Sequence, residues 1–220
     1  MTIHVLVEGA SELAFLDRWA PRLLPDQIVR VHPHKGKGSL PRVVDSPPDR
    51  KARGLLDQLP ATLRGYATSL DKREDSVLVL VDADADDVER LMNDLRAVAA
   101  QCAPQIRVGV SVAVEEMEAF YLGDLRALQR AYPAADMEAA RAYRPDSICG
   151  TWELFGQIVD DGGGNKVAWA LAMGPQVTTR PAESRSPSFR KMVQELHALV
   201  PDAQPAQRKR PYRHRAKARR

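Results

Sequence analysis

Cysteine is scarce in this sequence. Its two copies, Cys102 and Cys149, lie too far apart for a metal knuckle and are too few for a disulfide scaffold. Long apolar runs are missing as well, and none approaches the roughly 18 residues needed to span a bilayer. The opening MTIHVLVEGASE has no basic stretch before its apolar run and turns acidic at once, so it does not read as a secretory signal. These absences exclude a disulfide-stapled module and a membrane span, and they set the expectation of a cytoplasmic protein. A composition of 44% hydrophobic and 28% charged residues excludes a disordered or fibrous chain, and 220 residues suit one domain with an appendage.

The net charge of +3 hides an asymmetry. Residues 208–220, RKRPYRHRAKARR, hold eight Lys or Arg and no acid, which leaves residues 1–207 with 24 bases against 29 acids. A basic arm on an acidic body points to nucleic acid or an acidic partner. The alternative is a solvated tail that binds nothing specific.

Apolar patterning gives the organisation. Ile3 to Val7 reads as a buried strand ending at Glu8-Gly9. A helix follows, with Ser11 as its expected cap and Glu12 in its first turn. Ile28 to Val31 reads as a second strand, HPHKGKGSL as a loop, and about 51–70 as a helix despite Pro60. Ser76 to Val81 is the clearest buried strand, and it ends at Asp82-Ala83-Asp84. Val88, Leu91, Met92, Leu95, Val98 and Ala99 repeat at helical spacing. From Ile106 to Val114 apolar residues alternate with others, which predicts a strand near a sheet edge. The following EEMEAFYLGDLRALQRAY is helical in pattern.

Four strands alternating with helices before residue 115 predict an α/β fold with a mostly parallel four-stranded sheet flanked by helices. Beyond residue 132 short helices, about 151–160, 165–173 and 187–199, predict a helical extension packed on the sheet. The expected division is therefore 1–131 as the α/β unit, 132–200 as the helical extension and 201–220 as the basic tail.

The placement of acids carries the functional signal. Glu8 follows the first strand, Asp82 and Asp84 the third, and Glu115, Glu116 and Glu118 the fourth. In a parallel sheet all of these reach one edge, the edge where α/β proteins bind ligands. Converging carboxylates repel and raise one another's pKa unless a cation sits among them. Hard oxygen donors suit Mg²⁺ or Mn²⁺, and such ions can assist hydrolysis of a phosphodiester. Taken singly, each acid also has a bland account as a helix-start or solvated residue.

These residues resemble the Toprim domain, the catalytic α/β fold of topoisomerases, primases and overcoming-lysogenization-defect nucleases. The Toprim pattern is Glu-Gly after the first strand and Asp-x-Asp after the third, here Glu8-Gly9 and Asp82-Ala83-Asp84. The sequence is similar in particular to bacterial Toprim-like proteins of unknown function, often encoded beside an ATPase with ABC or AAA features. The segments that carry this are Val7-Glu8-Gly9 with Glu12 and Phe15, Gly36-Lys37-Gly38, Val81-Asp82, Glu116 through Phe120, Thr151-Trp152-Glu153 and Arg185-Ser186-Pro187-Ser188-Phe189. They cover about residues 3–198.

The resemblance implies a Mg²⁺-dependent (or Mn²⁺-dependent) nuclease acting on DNA or RNA, including tRNA, as effector of an anti-phage defence pair with an ATPase partner. It assigns Glu8 as a metal ligand or general acid/base group, Asp82 and Asp84 as metal-holding and catalytic, and Glu118 as a further ligand. Glu115 and Glu116 compete for the place of Glu118. No tyrosine nucleophile can be assigned, so topoisomerase activity is not implied.

Other features add to this edge. Lys35 and Lys37 in the glycine loop are candidates for phosphate contact, as are Arg208, Lys209 and Arg210 in the tail. His32 and His34 lack a third soft ligand nearby in sequence. Trp152 and Trp169 are expected to pack in the helical extension, and Arg180, Arg185, Arg190 and Lys191 to form a solvated helix face or a track for nucleic acid. Two rival functions remain at this point. One is a non-catalytic subunit of the same fold that docks on an ATPase or nucleic acid. The other is a phosphatase of the haloacid dehalogenase type, whose Asp-x-Asp would normally follow the first strand.

Overall fold

The computed structural model describes residues 1–49, 51–148, 150–162 and 164–200. Arg208, Lys209, Arg210 and Cys149 lie outside the described residues. The chain runs β1 (Thr2–Val7), α1 (Ala10–Leu23), β2 (Ile28–Pro33), α2 (Leu55–Ser69), β3 (Asp75–Asp82), α3 (Val88–Cys102) and β4 (Arg107–Ala113). It continues through α4 (Glu118–Leu122), α5 (Leu125–Ala131), α6 (Met137–Ala142), α7 (Thr151–Ile158), α8 (Lys166–Met173) and α9 (Pro187–Leu199).

The four strands form one all-parallel sheet in the order β2-β1-β3-β4. The two central strands carry the most apolar strand sequences, interrupted in β1 by the buried His4, because both of their faces are covered. β4, with its alternating pattern, stands at one edge as its sequence predicts. Side chains alternate between the faces. Leu6, Val77, Val79 and Val81 pack against α2 and α3, while Ile3, Val5, Val7, Leu78 and Leu80 join a larger core with α1 and α4 to α9.

The helices after residue 132 share that larger core with the sheet. α8 lies along α1, and α9 lies on β4. Gly109 permits the second contact, since a Cβ there would sit 3.2 Å from the Leu199 side chain. Trp19, Phe15, Phe120 and Phe189 form a chain of ring contacts between α1, α4 and α9, and all four are fully buried. Trp169 is buried in the same core, with Trp152 packed at its margin. Among the described residues no helix is long and apolar enough to cross a membrane.

Two local expectations change. Ser11 does not cap α1; the helix begins at Ala10 after Gly9, and the Ser11 hydroxyl donates to Glu12 Oε1 at 3.0 Å. The helical pattern after residue 114 breaks into α4 and α5 at Gly123-Asp124. There Asp124 accepts from the N–H of Ala127 and of Thr178, so one carboxylate caps α5 and ties down the 178 strap. Gly123 lies so close to Ser184 and Ser186 that a Cβ would approach them to 2.9 and 2.8 Å.

Candidate functional site

The parallel sheet delivers the ends of β1, β3 and β4 to one edge, and the acids arrive with them. Glu8 Oε1 accepts from the Asp82 N–H at 2.8 Å, joining the ends of β1 and β3 through a side chain. Asp84 and Glu115, at the ends of β3 and β4, both take left-handed backbone conformations with φ of 49° and 61°. The Asp84 N–H donates to the Glu115 carbonyl at 2.8 Å, which locks these two turns together. Left-handed non-glycine residues are uncommon, and their presence here re-aims the chain as it leaves the sheet.

Three glutamates follow β4, and the fold separates their roles. Glu115 accepts from the N–H groups of Gly150 and Thr151 at 2.8 and 3.1 Å, and Thr151 Oγ1 also donates to it. Glu116 accepts from the Trp152 N–H at 3.0 Å and pairs with Lys166 Nζ at 2.9 Å. Both carboxylates thus sit on the N-terminus of α7, where free N–H groups favour negative charge. Glu118 is 2% exposed and lies 3.9 Å from Lys166 Nζ.

Glu118 shares its surroundings with Glu12 and Asp82. Burial, offset by Lys166 and raised again by Glu116 and Glu12, pushes the Glu118 carboxyl up to about 7. Burial is also the main cause that lifts Glu8 to about 7; the Asp82 N–H opposes it, and the charges of Asp84 and Glu12 add to it. Asp82 is held well above the usual carboxylate range by burial and by Glu8, Glu12 and Glu118. Glu12, buried in the first turn of α1, has one oxygen, Oε2, with no hydrogen-bond partner among the described residues. The buried Tyr121 phenol also lacks a partner among them, and burial with the charges of Glu118, Glu12 and Asp82 holds it protonated. A phenol in that state is no nucleophile.

The edge therefore brings together Glu8, Asp82 and Glu118 from the set read in the sequence, and adds Glu12. Glu12 was visible as part of Val7-Glu8-Gly9-x-x-Glu12, but its position in a first helical turn gave it an ordinary explanation. Only the docking of α1 into the shared core, with the Phe15 ring against Tyr121 of α4, turns it inward. Asp84 belongs to a different cluster. Its carboxylate, with that of Asp86, pairs with Lys37 Nζ at 3.1 and 2.7 Å.

Lys37 arrives there because the glycine loop runs across the end of β1. His34 N–H donates to the Val7 carbonyl, and Gly36 N–H to that of Glu8. Lys37 Nζ then reaches the Ala83 carbonyl at 2.9 Å. Burial works to lower its pKa, but hydrogen bonds to Asp86 and Asp84 outweigh burial and raise it. Lys37 is thus an internal counter-ion of the third-strand acids, whereas Lys35 is exposed. His32 pairs with His4 across β1 and β2 at 3.0 Å, and His34 Nδ1 lies 3.0 Å from the Val7 carbonyl, so the two loop imidazoles do not face each other as a ligand pair.

A divalent cation suits the chemistry of this donor set. All four inward acids offer hard oxygens, one buried oxygen of Glu12 has no partner among the described residues, and burial and repulsion push three carboxyl groups upward by more than the nearby lysines and N–H groups offset. Among the described residues no group of three or more His, Cys, Asp or Glu side chains is already arranged to hold a metal ion. Glu8 is turned to a backbone N–H, and Asp84 and Glu116 are turned to lysines.

The fold and this edge define the class: a parallel α/β protein with a carboxylate cluster at the carboxyl ends of its strands. Residues 7–197 match the family described as Domain of unknown function (DUF4276), and the chain belongs to that family. No curated protein and no solved structure matches it.

Proposed function

We propose that this protein is a Mg²⁺-dependent nuclease of Toprim type, hydrolysing phosphodiester bonds in DNA or RNA. The observation that carries this reading is the meeting of Glu8, Glu12, Asp82 and Glu118 at one strand edge, Glu12 and Glu118 buried and Glu8 and Asp82 partly so, mutually repelling, with an oxygen on Glu12 that has no partner among the described residues. Asp82, Glu118 and Glu12 would hold the ion. A metal ion held there would supply a Lewis acid for a phosphoryl oxygen and a water of lowered pKa.

The chain's own groups account for the rest. With Asp82, Glu118 and Glu12 given to the ion, Glu8 is left as the general acid/base group, and its carboxyl, raised to about 7, suits proton transfer at neutral pH. Its acceptor bond from the Asp82 N–H fixes its direction. Tyr121, held protonated beside these acids, adds no negative charge to the cluster. Lys37 and Lys166 bring positive charge to an edge that would otherwise repel a polyanion. Activity controlled by an ATPase partner in a defence pair forms part of the same proposal.

One observation favours a second reading, a non-catalytic subunit of this fold. Lys166 lies on Glu116 and near Glu118, and Lys37 on Asp84 and Asp86, so lysines already neutralise part of the cluster. The test is cleavage of DNA and of total RNA in Mg²⁺ and Mn²⁺, with and without the neighbouring ATPase. The nuclease reading expects cleavage that Glu8→Gln and Asp82→Asn each reduce by about 100-fold or more. Nucleic-acid binding without cleavage by the wild type under every activating condition would favour the second reading.

A further inference from the structure

A second charged site lies away from the acid edge. Glu12 is in the first turn of α1 and Arg22 in its last, a separation of about 15 Å along the helix axis at 1.5 Å per residue. Around Arg22 opens a cleft of about 510 Å³, lined by Arg126, Arg130, Arg180 and Arg185 together with Asp124 and Glu183. Five guanidiniums against two carboxylates make this a cationic cleft on a body that is acidic overall.

The arginines are held in place without losing their charge. Arg22 donates to the carbonyls of Gly174 and Val177 at 3.0 and 2.9 Å. Arg130 donates to the Gln176 side chain and carbonyl at 3.0 and 2.7 Å. Arg185 reaches the Tyr143 carbonyl at 2.8 Å. Neutral carbonyls fix these side chains and leave their positive charge for another partner, so the entropy of ordering them is spent in folding. The two acids, by contrast, are engaged. Asp124 accepts from backbone N–H groups, and Glu183 accepts from Thr178 and Arg180. Arg126 is exposed and has no hydrogen bond or ion pair within the described residues.

We infer that this cleft binds the oligophosphate group of a small molecule. Arg pairs bidentately with phosphate oxygens, and a three-charge excess matches a di- or triphosphate better than a single phosphate. The volume falls in the range of small-ligand sites. Among the described residues the lining has no aromatic ring to stack a base, so recognition rests on the phosphates.

The experiment is calorimetric titration of the full chain with sodium tripolyphosphate, and separately with ATP, in EDTA. Without a divalent cation the acid edge repels these ligands, so failure of the nuclease reading leaves the result unaffected. The basic tail contributes equally to all variants, and the differences between them report the cleft. Arg126→Glu, which breaks no hydrogen bond or ion pair within the described residues and removes only the longer-range attraction to Glu183, is expected to weaken binding by about 10-fold or more. Glu183→Gln is expected to strengthen it by about threefold. Equal affinity for the two ligands assigns the site to phosphates alone, and tighter binding of ATP assigns the source to a nucleotide. Wild type and Arg126→Glu titrating alike would overturn the inference. So would capture of a single-stranded oligonucleotide that tripolyphosphate does not displace.

Discussion

Glu115 and Glu118 stand three residues apart, and both are buried, yet the fold surrounds them in opposite ways. Glu115 takes two backbone N–H groups and a hydroxyl at the start of α7. Glu118 faces Asp82, Glu12 and Glu116, with Lys166 at 3.9 Å as its nearest cation. A satisfied buried carboxylate is part of the scaffold, because it offsets the unpaired donors of a helix end. A crowded one costs stability, and that cost is what the proposed cation would offset. The comparison separates structure from chemistry within a single loop.

Exchange of the two glutamates for glutamine is the strongest way to break this comparison. Glu118→Gln is expected to reduce metal-dependent cleavage by about 100-fold or more while leaving the melting temperature unchanged or higher, since it relieves repulsion. Glu115→Gln is expected to lower stability by about 2–3 kcal/mol through weakened bonds to Gly150 and Thr151, with cleavage following only the folded fraction. Thermal melts alongside cleavage assays read both. If Glu115→Gln lost activity at full stability, the assignment would reverse.

The next effect is pH dependence. Glu8 and Glu118, raised from 4.5 to about 7, keep protons in the folded chain that the unfolded chain has released. Their contribution to stability is complete below pH 4.5 and is lost as pH rises through about 7. Stability in EDTA should therefore fall by a few kcal/mol across that window, and Glu118→Gln should flatten the fall. Denaturant melts at a series of pH values measure it. Mg²⁺ at pH 8 should recover the lost stability in the wild type and fail to do so in Asp82→Asn; equal responses would detach the cation from these acids.

The smallest effect sharpens the contrast with Asp84. Lys37 joins Asp84 and Asp86, whose carboxylates are more than half exposed. Lys37→Met should cost about 1 kcal/mol, because methionine refills the space of the mostly buried Lys37 stem while the two carboxylates stay solvated. A loss several times larger, measured by chemical denaturation, would make the glycine loop a structural clamp.

Much of the scaffold was legible before any coordinates. The apolar runs of β1 and β3 marked buried strands, and the alternation of β4 marked an edge strand; β4 does stand at an edge, yet α3 and α9 cover both of its faces, so Gly109 and Ser111 are buried as well. The spacing of Val88 to Ala99 marked α3. Local chemistry read less well. The pattern after residue 114 resembled one helix, since nothing local shows that Asp124 will be pulled onto Thr178, 54 residues away. Ser11 looked like a cap, but its hydroxyl serves Glu12. The basic residues at 180–191 also looked like one group; Arg180 and Arg185 line the cleft, while Lys191 lies on α9 beside β4.

By itself, the sequence determined the parallel α/β order and the arrival of Glu8, Asp82 and the three glutamates at a common edge. Strand direction and side-chain period are local properties, and a parallel sheet converts them into position. The tertiary structure alone decided which acids face one another. Hydrogen bonds from α7 claim Glu115 and Glu116, Lys37 claims Asp84, and the packing of α1 turns Glu12 inward beside Asp82 and Glu118. Those choices depend on donors and cations far away in the chain, and only folding brings such groups within reach.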